Sequence, residues 1–152
     1  GGEEEKMQCE TQKILGNFDS ERIAPLQANV SAHCNRVPAI DGHTVVVSVE
    51  LENKPGVEGL KAAMAGFSGR PQELTLPFAP KQPLAVTDAP DRPQTRRDAL
   101  AGNGMTVTVG RVRECSVFDY KFTALVHNTI RGAAGAAILN AELLLEEGYV
   151  QQ

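Results

Sequence analysis

The residues best suited to chemistry lie between Ser31 and Thr44, in the stretch SAHCNRVPAIDGHT. Arg36 and His43 stand on either side of a Val-Pro-Ala-Ile-Asp-Gly turn, just before a valine-rich segment. Arginine presents a planar fork of donors that matches a carboxylate or a phosphate. Histidine titrates near neutral pH and can exchange protons. On residue type alone the plainer reading carries more weight, with Asp41-Gly42-His43 an exposed turn and Arg36 a surface ion pair. Glu10 and Lys13 form a second charged pair, three residues apart in a segment with helical spacing. Such residues share one helical edge and can face a ligand together, or pair with each other at the surface. Surface pairing does not explain why Glu10 falls on the face that also carries Met7, Thr11 and Ile14.

Other chemistries find less support. No Gly-x-Gly-x-x-Gly opens a strand-to-helix turn, so a dinucleotide fingerprint is absent from this stretch of chain. Gly132-Ala-Ala-Gly135 follows a strand, but its spacing is wrong, and it reads as tight helix packing. Cys9, Cys34 and Cys115 are far apart, with no Cys-x-x-Cys, which leaves no zinc or redox pair. A low, odd number of thiols fits a reducing compartment and a cytoplasmic location. Cys9 and Cys34 are expected to be buried or partly buried structural thiols. His33 and His127 are expected to serve packing or turns.

The elements that must position these groups follow from periodicity. Glu3 to Leu15 reads as a helix with three glutamates at its positive end, stopped by Gly16. Thr44 to Glu52 alternates as a half-buried strand. Val57, Leu60, Met64 and Phe67 suggest a short amphipathic helix. Residues 71–93 hold six of the nine prolines, which argues for a long ordered loop rather than a helix or a central strand. Met105–Arg113 and Val117–Val126 read as strands joined by a turn at Glu114–Ser116. Gly132–Glu147 reads as a helix, small in its first half and large in its second. The class is α+β, with a mixed, largely antiparallel sheet and helices on one face. A second copy of the chain is the economical cover for the other face, so a homodimer is expected.

Composition sets the outer limits. The 152 residues suffice for one domain with an aliphatic core, since tryptophan is absent and aromatics are 5%. The net charge is −4 and no basic stripe occurs, which disfavours nucleic acid or an anionic membrane as partner. No apolar run approaches the ~20 residues that span a bilayer. No signal peptide opens the chain, although a fragment would have lost one.

The segments EEEKMQCETQKILG, CNRVPAIDGHT, TDAPDRPQTRRD and HNTIRGAAGAAILNAE together resemble aspartate-semialdehyde dehydrogenase, in the branch found in archaea and fungi. The resemblance runs from Glu3 to Tyr149. It implies a catalytic and dimerisation domain like that of glyceraldehyde phosphate dehydrogenase, occupying residues 1–152. The C-terminal helix, about 132–147, would pack towards a missing N-terminal coenzyme domain. The family reaction is the reversible, NADP-dependent conversion of aspartyl phosphate to aspartate semialdehyde through a cysteine thioester, a step of amino-acid biosynthesis. Position by position, the resemblance implies that His43 is the acid/base histidine and that Arg36 grips the substrate carboxylate. It further implies that Glu10 reads the amino group, Lys13 binds the phosphate and Asn128 faces the nicotinamide carboxamide. The charges of Glu10, Arg36 and Lys13 oppose those of the ammonium, carboxylate and acyl phosphate of aspartyl phosphate, as charge-assisted hydrogen bonds require. The family's nucleophile lies in an Asn-Cys context that this sequence lacks. The chain alone is therefore expected to be inactive and to bind little NADP. Two alternatives stay open: a domain like that of malonyl-CoA reductase, whose substrate would leave Glu10 without a cation, and a non-catalytic dimerisation module.

Overall fold

A computed structural model describes residues 2–150. The chain forms two compact units, Gly1–Pro38 and Ala39–Gln152.

The first unit opens with helix α1, Glu3–Ile14. Glu3, Glu4 and Glu5 fill its first turn and Lys13 its last, each charge complementing the helix dipole. Strands β1 (Asn17–Phe18) and β2 (Ile23–Ala24) form a small antiparallel hairpin. Its turn is held by Asp19, whose carboxylate accepts the N–H groups of Arg22 at 2.9 Å and Glu21 at 3.2 Å. Those N–H groups hold the Asp19 carboxyl below its ordinary range. Gly16 ends α1 as expected, and its bare α-carbon lets the chain pass the carbonyl of Ala24. The stripe of Met7 and Ile14 does not become a core: no residue of α1 is buried, because so short a unit has little with which to enclose one. Cys9 and Cys34 are exposed for the same reason, which corrects the expectation of buried thiols.

The second unit is built on a four-stranded sheet. Its strands are β3 (His43–Val49), β4 (Leu84–Thr87), β5 (Val107–Glu114) and β6 (Tyr120–Val126), in the spatial order β3-β6-β5-β4. β3 and β5 run antiparallel to β6, and β4 runs parallel to β5. The sheet is mixed and largely antiparallel, as its alternating residues imply. Helices α2 (Gly56–Ala65), α3 (Arg70–Glu73), α4 (Thr95–Asp98) and α5 (Gly135–Glu146) accompany it. The Tyr120 hydroxyl accepts the Gly56 N–H at 2.9 Å, fixing the start of α2 to the sheet.

Several boundaries move. The proline-rich stretch is not a bare loop: Pro71 sits in the first turn of α3, where its missing N–H costs nothing. The proline-free run Leu84–Thr87 supplies an edge strand. The connection between β5 and β6 spans 115–119 and is closed by Cys115 N–H on the Asp119 carbonyl at 3.0 Å. The last helix begins earlier, as a π-helical turn over Ile130–Ala134. At Gly135 a Cβ would lie 2.6 Å from the Met105 sulfur, so the small residues do serve close packing. Met105, Leu76 and Leu139 form a core cluster there, and Leu125 is buried within the sheet. No helix among the described residues is long and apolar enough to cross a membrane.

Candidate functional site

In the first unit, residues 25–36 carry no regular structure yet are tied to α1 along its length. The Leu26 N–H donates to the Gln12 carbonyl at 2.9 Å, and the Gln12 side-chain amide donates to the Ala28 carbonyl at 2.8 Å. Further on, the Cys34 N–H donates to the Glu4 carboxylate at 2.8 Å. Arg36 then donates through Nη2 to Glu3 at 2.8 Å. The segment thus runs back antiparallel to the helix, and Arg36 arrives at the N-terminal end of α1.

This places Glu10, Lys13 and Arg36 on one small unit. Glu3 and Glu10 are seven residues apart, so they share a face two turns from each other, about 10 Å along the axis. Lys13 lies on the next turn, beside Glu10. All three side chains are exposed, and that of Arg36 is 87% accessible. The resting arrangement does not bring them to one point, because Arg36 is engaged by Glu3. A carboxylate approaching Arg36 must share the guanidinium with Glu3 or replace it. The ion pair is exposed and of the kind that contributes little to stability.

In the second unit, His43 and Asn128 come together at one end of the β3–β6 pair. His43 opens β3 and pairs in register with Val126. Asn128 follows two residues later, half-buried, and its Oδ1 accepts the Gly42 N–H at 2.9 Å. Gly42 has φ +102°, in the left-handed region where a side chain is strained. A Cβ there would also lie 3.4 Å from Thr95 Cγ2, so α4 backs the turn. His43 itself is exposed.

α4 is held in turn by a buried carboxylate. Asp98, 4% accessible, accepts both Arg92 Nε at 2.7 Å and Arg92 Nη2, and also the Gln94 N–H at 2.6 Å. The Arg92 hydrogen bonds hold the Asp98 carboxyl below its ordinary value against the opposing effect of burial. His127 is structural: its Nδ1 accepts the N–H groups of Thr129 and Ile130 at 3.3 Å each, capping the π-helical turn. Glu3, Glu4, Gly42 and Asp98 are the contributors that sequence reasoning missed. Only the Glu-rich start of α1 gave a signal, and it was legible as dipole complementation alone.

A coenzyme would find a partial fit. The Asn128 amide nitrogen remains a donor suited to a carboxamide oxygen, since its oxygen is taken by Gly42. Among the described residues no group of three His, Cys, Asp or Glu could hold a metal ion.

Comparison with known proteins adds the following. A family model of semialdehyde dehydrogenases, describing their dimerisation domain, matches residues 1–131. Aspartate-semialdehyde dehydrogenase of Methanothermobacter thermautotrophicus is 47% identical over 148 residues, covering 96% of this chain and 43% of that protein. The Schizosaccharomyces pombe enzyme of the same name is 49% identical over 156 residues, covering 99% and 43%. The crystal structure of aspartate semialdehyde dehydrogenase with NADP from Candida albicans superposes with a TM-score of 0.89 at 45% identity, covering 99% of this chain and 44% of that one. The chain thus spans less than half the length of the relatives it matches.

Proposed function

Because the chain belongs to the semialdehyde dehydrogenase family through its dimerisation domain, we propose that it is the catalytic and dimerisation part of an NADP-dependent aspartate-semialdehyde dehydrogenase. The reaction is the reversible reductive dephosphorylation of aspartyl phosphate to aspartate semialdehyde, in the cytoplasm, as a step of amino-acid biosynthesis. The remaining share of such an enzyme would supply the nucleophilic thiol and most of the coenzyme site. Both compact units belong to one functional domain on this reading, because the family match crosses the boundary at Pro38.

One observation carries the reading: the first unit presents a carboxylate, an ammonium and a guanidinium on one helix and the segment clipped to it. Aspartyl phosphate has an ammonium, an acyl phosphate and a carboxylate to meet them. Arg36 would hold the α-carboxylate, Glu10 the ammonium and Lys13 the phosphate. His43 would take the proton of the attacking thiol and pass a proton to or from the tetrahedral oxygen. NADP, when bound, accepts or supplies the hydride, and the Asn128 amide nitrogen would orient its carboxamide.

The test is to fuse this chain behind the N-terminal remainder of the Methanothermobacter relative and follow NADP reduction by aspartate semialdehyde. The fusion should turn over only when phosphate is present, and the isolated chain should be silent. Turnover by the isolated chain, or turnover indifferent to phosphate, would overturn the reading.

The dimer is read as forming through the sheet face. Val46 on β3 is 76% accessible, and exposed apolar residues on a sheet face favour association unless something covers them. Sizing by light scattering at micromolar concentration should give twice the mass of the 16.3 kDa chain, and Val46→Lys should shift it towards monomer. A parent chain that runs as a monomer counts against the sheet dimer.

A further inference from the structure

We infer that Asn128 is a positioning residue for His43, acting through the backbone of Gly42. The inference rests on the acid–base reading of His43 proposed above and goes beyond the coenzyme contact that the resemblance implies for Asn128.

The backbone around His43 is held from two sides. On one side, β3 pairs with β6, and His43 stands opposite Val126 at the end of the ladder. On the other, the residue before His43 has its N–H turned to the Asn128 side chain at 2.9 Å. Without Asn128 that N–H would lose its partner in a half-buried position, where an unpaired donor is unfavourable. Gly42 is at φ +102°, a conformation that the chain leaves readily unless something fixes it. A Cβ built at Gly42 would lie 3.4 Å from Thr95 Cγ2 and 3.7 Å from Ala99 Cβ, so this neighbourhood flanks the turn but does not satisfy its N–H. The amide orientation follows from the donor it meets: an N–H faces the oxygen, so Nδ2 points elsewhere. One side chain then has two ends with separate work, an oxygen that sets the histidine turn and a nitrogen left for a ligand. In the sequence the two partners are 86 residues apart, and only the β3–β6 register brings them together.

Two substitutions separate these roles. Asn128→Leu keeps the volume and removes the acceptor. Asn128→Asp keeps an acceptor and removes the donor. Amide exchange at Gly42 is read by NMR in the 152-residue chain, where no turnover is needed. Exchange should quicken at least tenfold in Asn128→Leu and return towards the parent rate in Asn128→Asp. In the fused enzyme, kcat of Asn128→Leu should fall about tenfold while KM for aspartate semialdehyde stays within about twofold. Asn128→Asp should recover at least threefold in kcat over Asn128→Leu, whatever happens to KM for NADP. Unchanged Gly42 exchange in Asn128→Leu, or equal kcat in the two variants, overturns the inference. If Asn128→Leu does not fold, Gly42 exchange in Asn128→Asp decides, because loss of protection there shows that an oxygen at this position does not hold the turn. A His43→Ala fusion as active as its parent instead overturns the acid–base reading, and the Gly42 exchange data tell that failure apart.

Discussion

Replacing His43 by Ala in the fused enzyme is expected to lower kcat by about 10²–10⁴-fold, the usual contribution of a placed general acid–base. The fold should be untouched. His43 is exposed at the first position of an edge strand, and its backbone pairing with Val126 does not need the imidazole. Circular dichroism and thermal unfolding of His43→Ala should therefore match the parent. KM for aspartate semialdehyde should move little, because Arg36, Glu10 and Lys13 would hold the substrate in that reading. A loss of kcat without a loss of binding marks an interaction made in the transition state. A variant within threefold of the parent would remove His43 from the mechanism.

Asp98→Ala should be the most costly change among the polar residues. It strips the carboxylate that binds Arg92 through two nitrogens and caps the Gln94 N–H. Removing the buried carboxylate while its half-exposed guanidinium partner and the Gln94 N–H stay behind is expected to cost about 2 kcal/mol, or a fall in Tm of about 6 °C for a chain of this size. The effect depends on pH in a defined direction. The folded pKa of Asp98 lies below the ordinary 3.8. Its stabilisation is therefore complete above that ordinary value and is lost as pH falls through the lower, folded value. Thermal melts of parent and variant should differ most at neutral pH and converge in strong acid. A gap in Tm that is the same at pH 7 and pH 2.5 would show that charge plays no part. Because Thr95 at the start of α4 and Ala99 just after it flank Gly42, the variant should also loosen the turn that presents His43.

How much of this was legible depends on the range over which each cause acts. α1 and β3 follow from local periodicity, and their observed ends lie within a few residues of the expected ones. β4 was hidden because prolines at 83 and 90 flank it. A strand at the sheet edge needs a ladder on one side only, so a four-residue run free of proline is enough. The π-helical start at Ile130 was hidden because it depends on His127 capping the turn, which residue type alone does not announce. Arg36 and His43 stood out by type and spacing. Their supports did not. Glu3 and Glu4 look like ordinary dipole-complementing charges, and the link from Asn128 to Gly42 is a matter of strand register. The expectation of an apolar face on α1 overreached, since periodicity shows which residues share a side and not whether anything covers that side.

The clipping of residues 25–36 to α1 bears on how chains of this family could be recombined. Moving α1 alone into a homologue would carry Glu3, Glu10 and Lys13 but leave behind Arg36, the partner of Glu3. Moving the later stretch alone would leave Gln12 and Glu4 without their backbone partners. The smallest piece that can be exchanged intact is the whole of residues 3–36, so in a chimera this unit should be inherited as a block rather than one residue at a time.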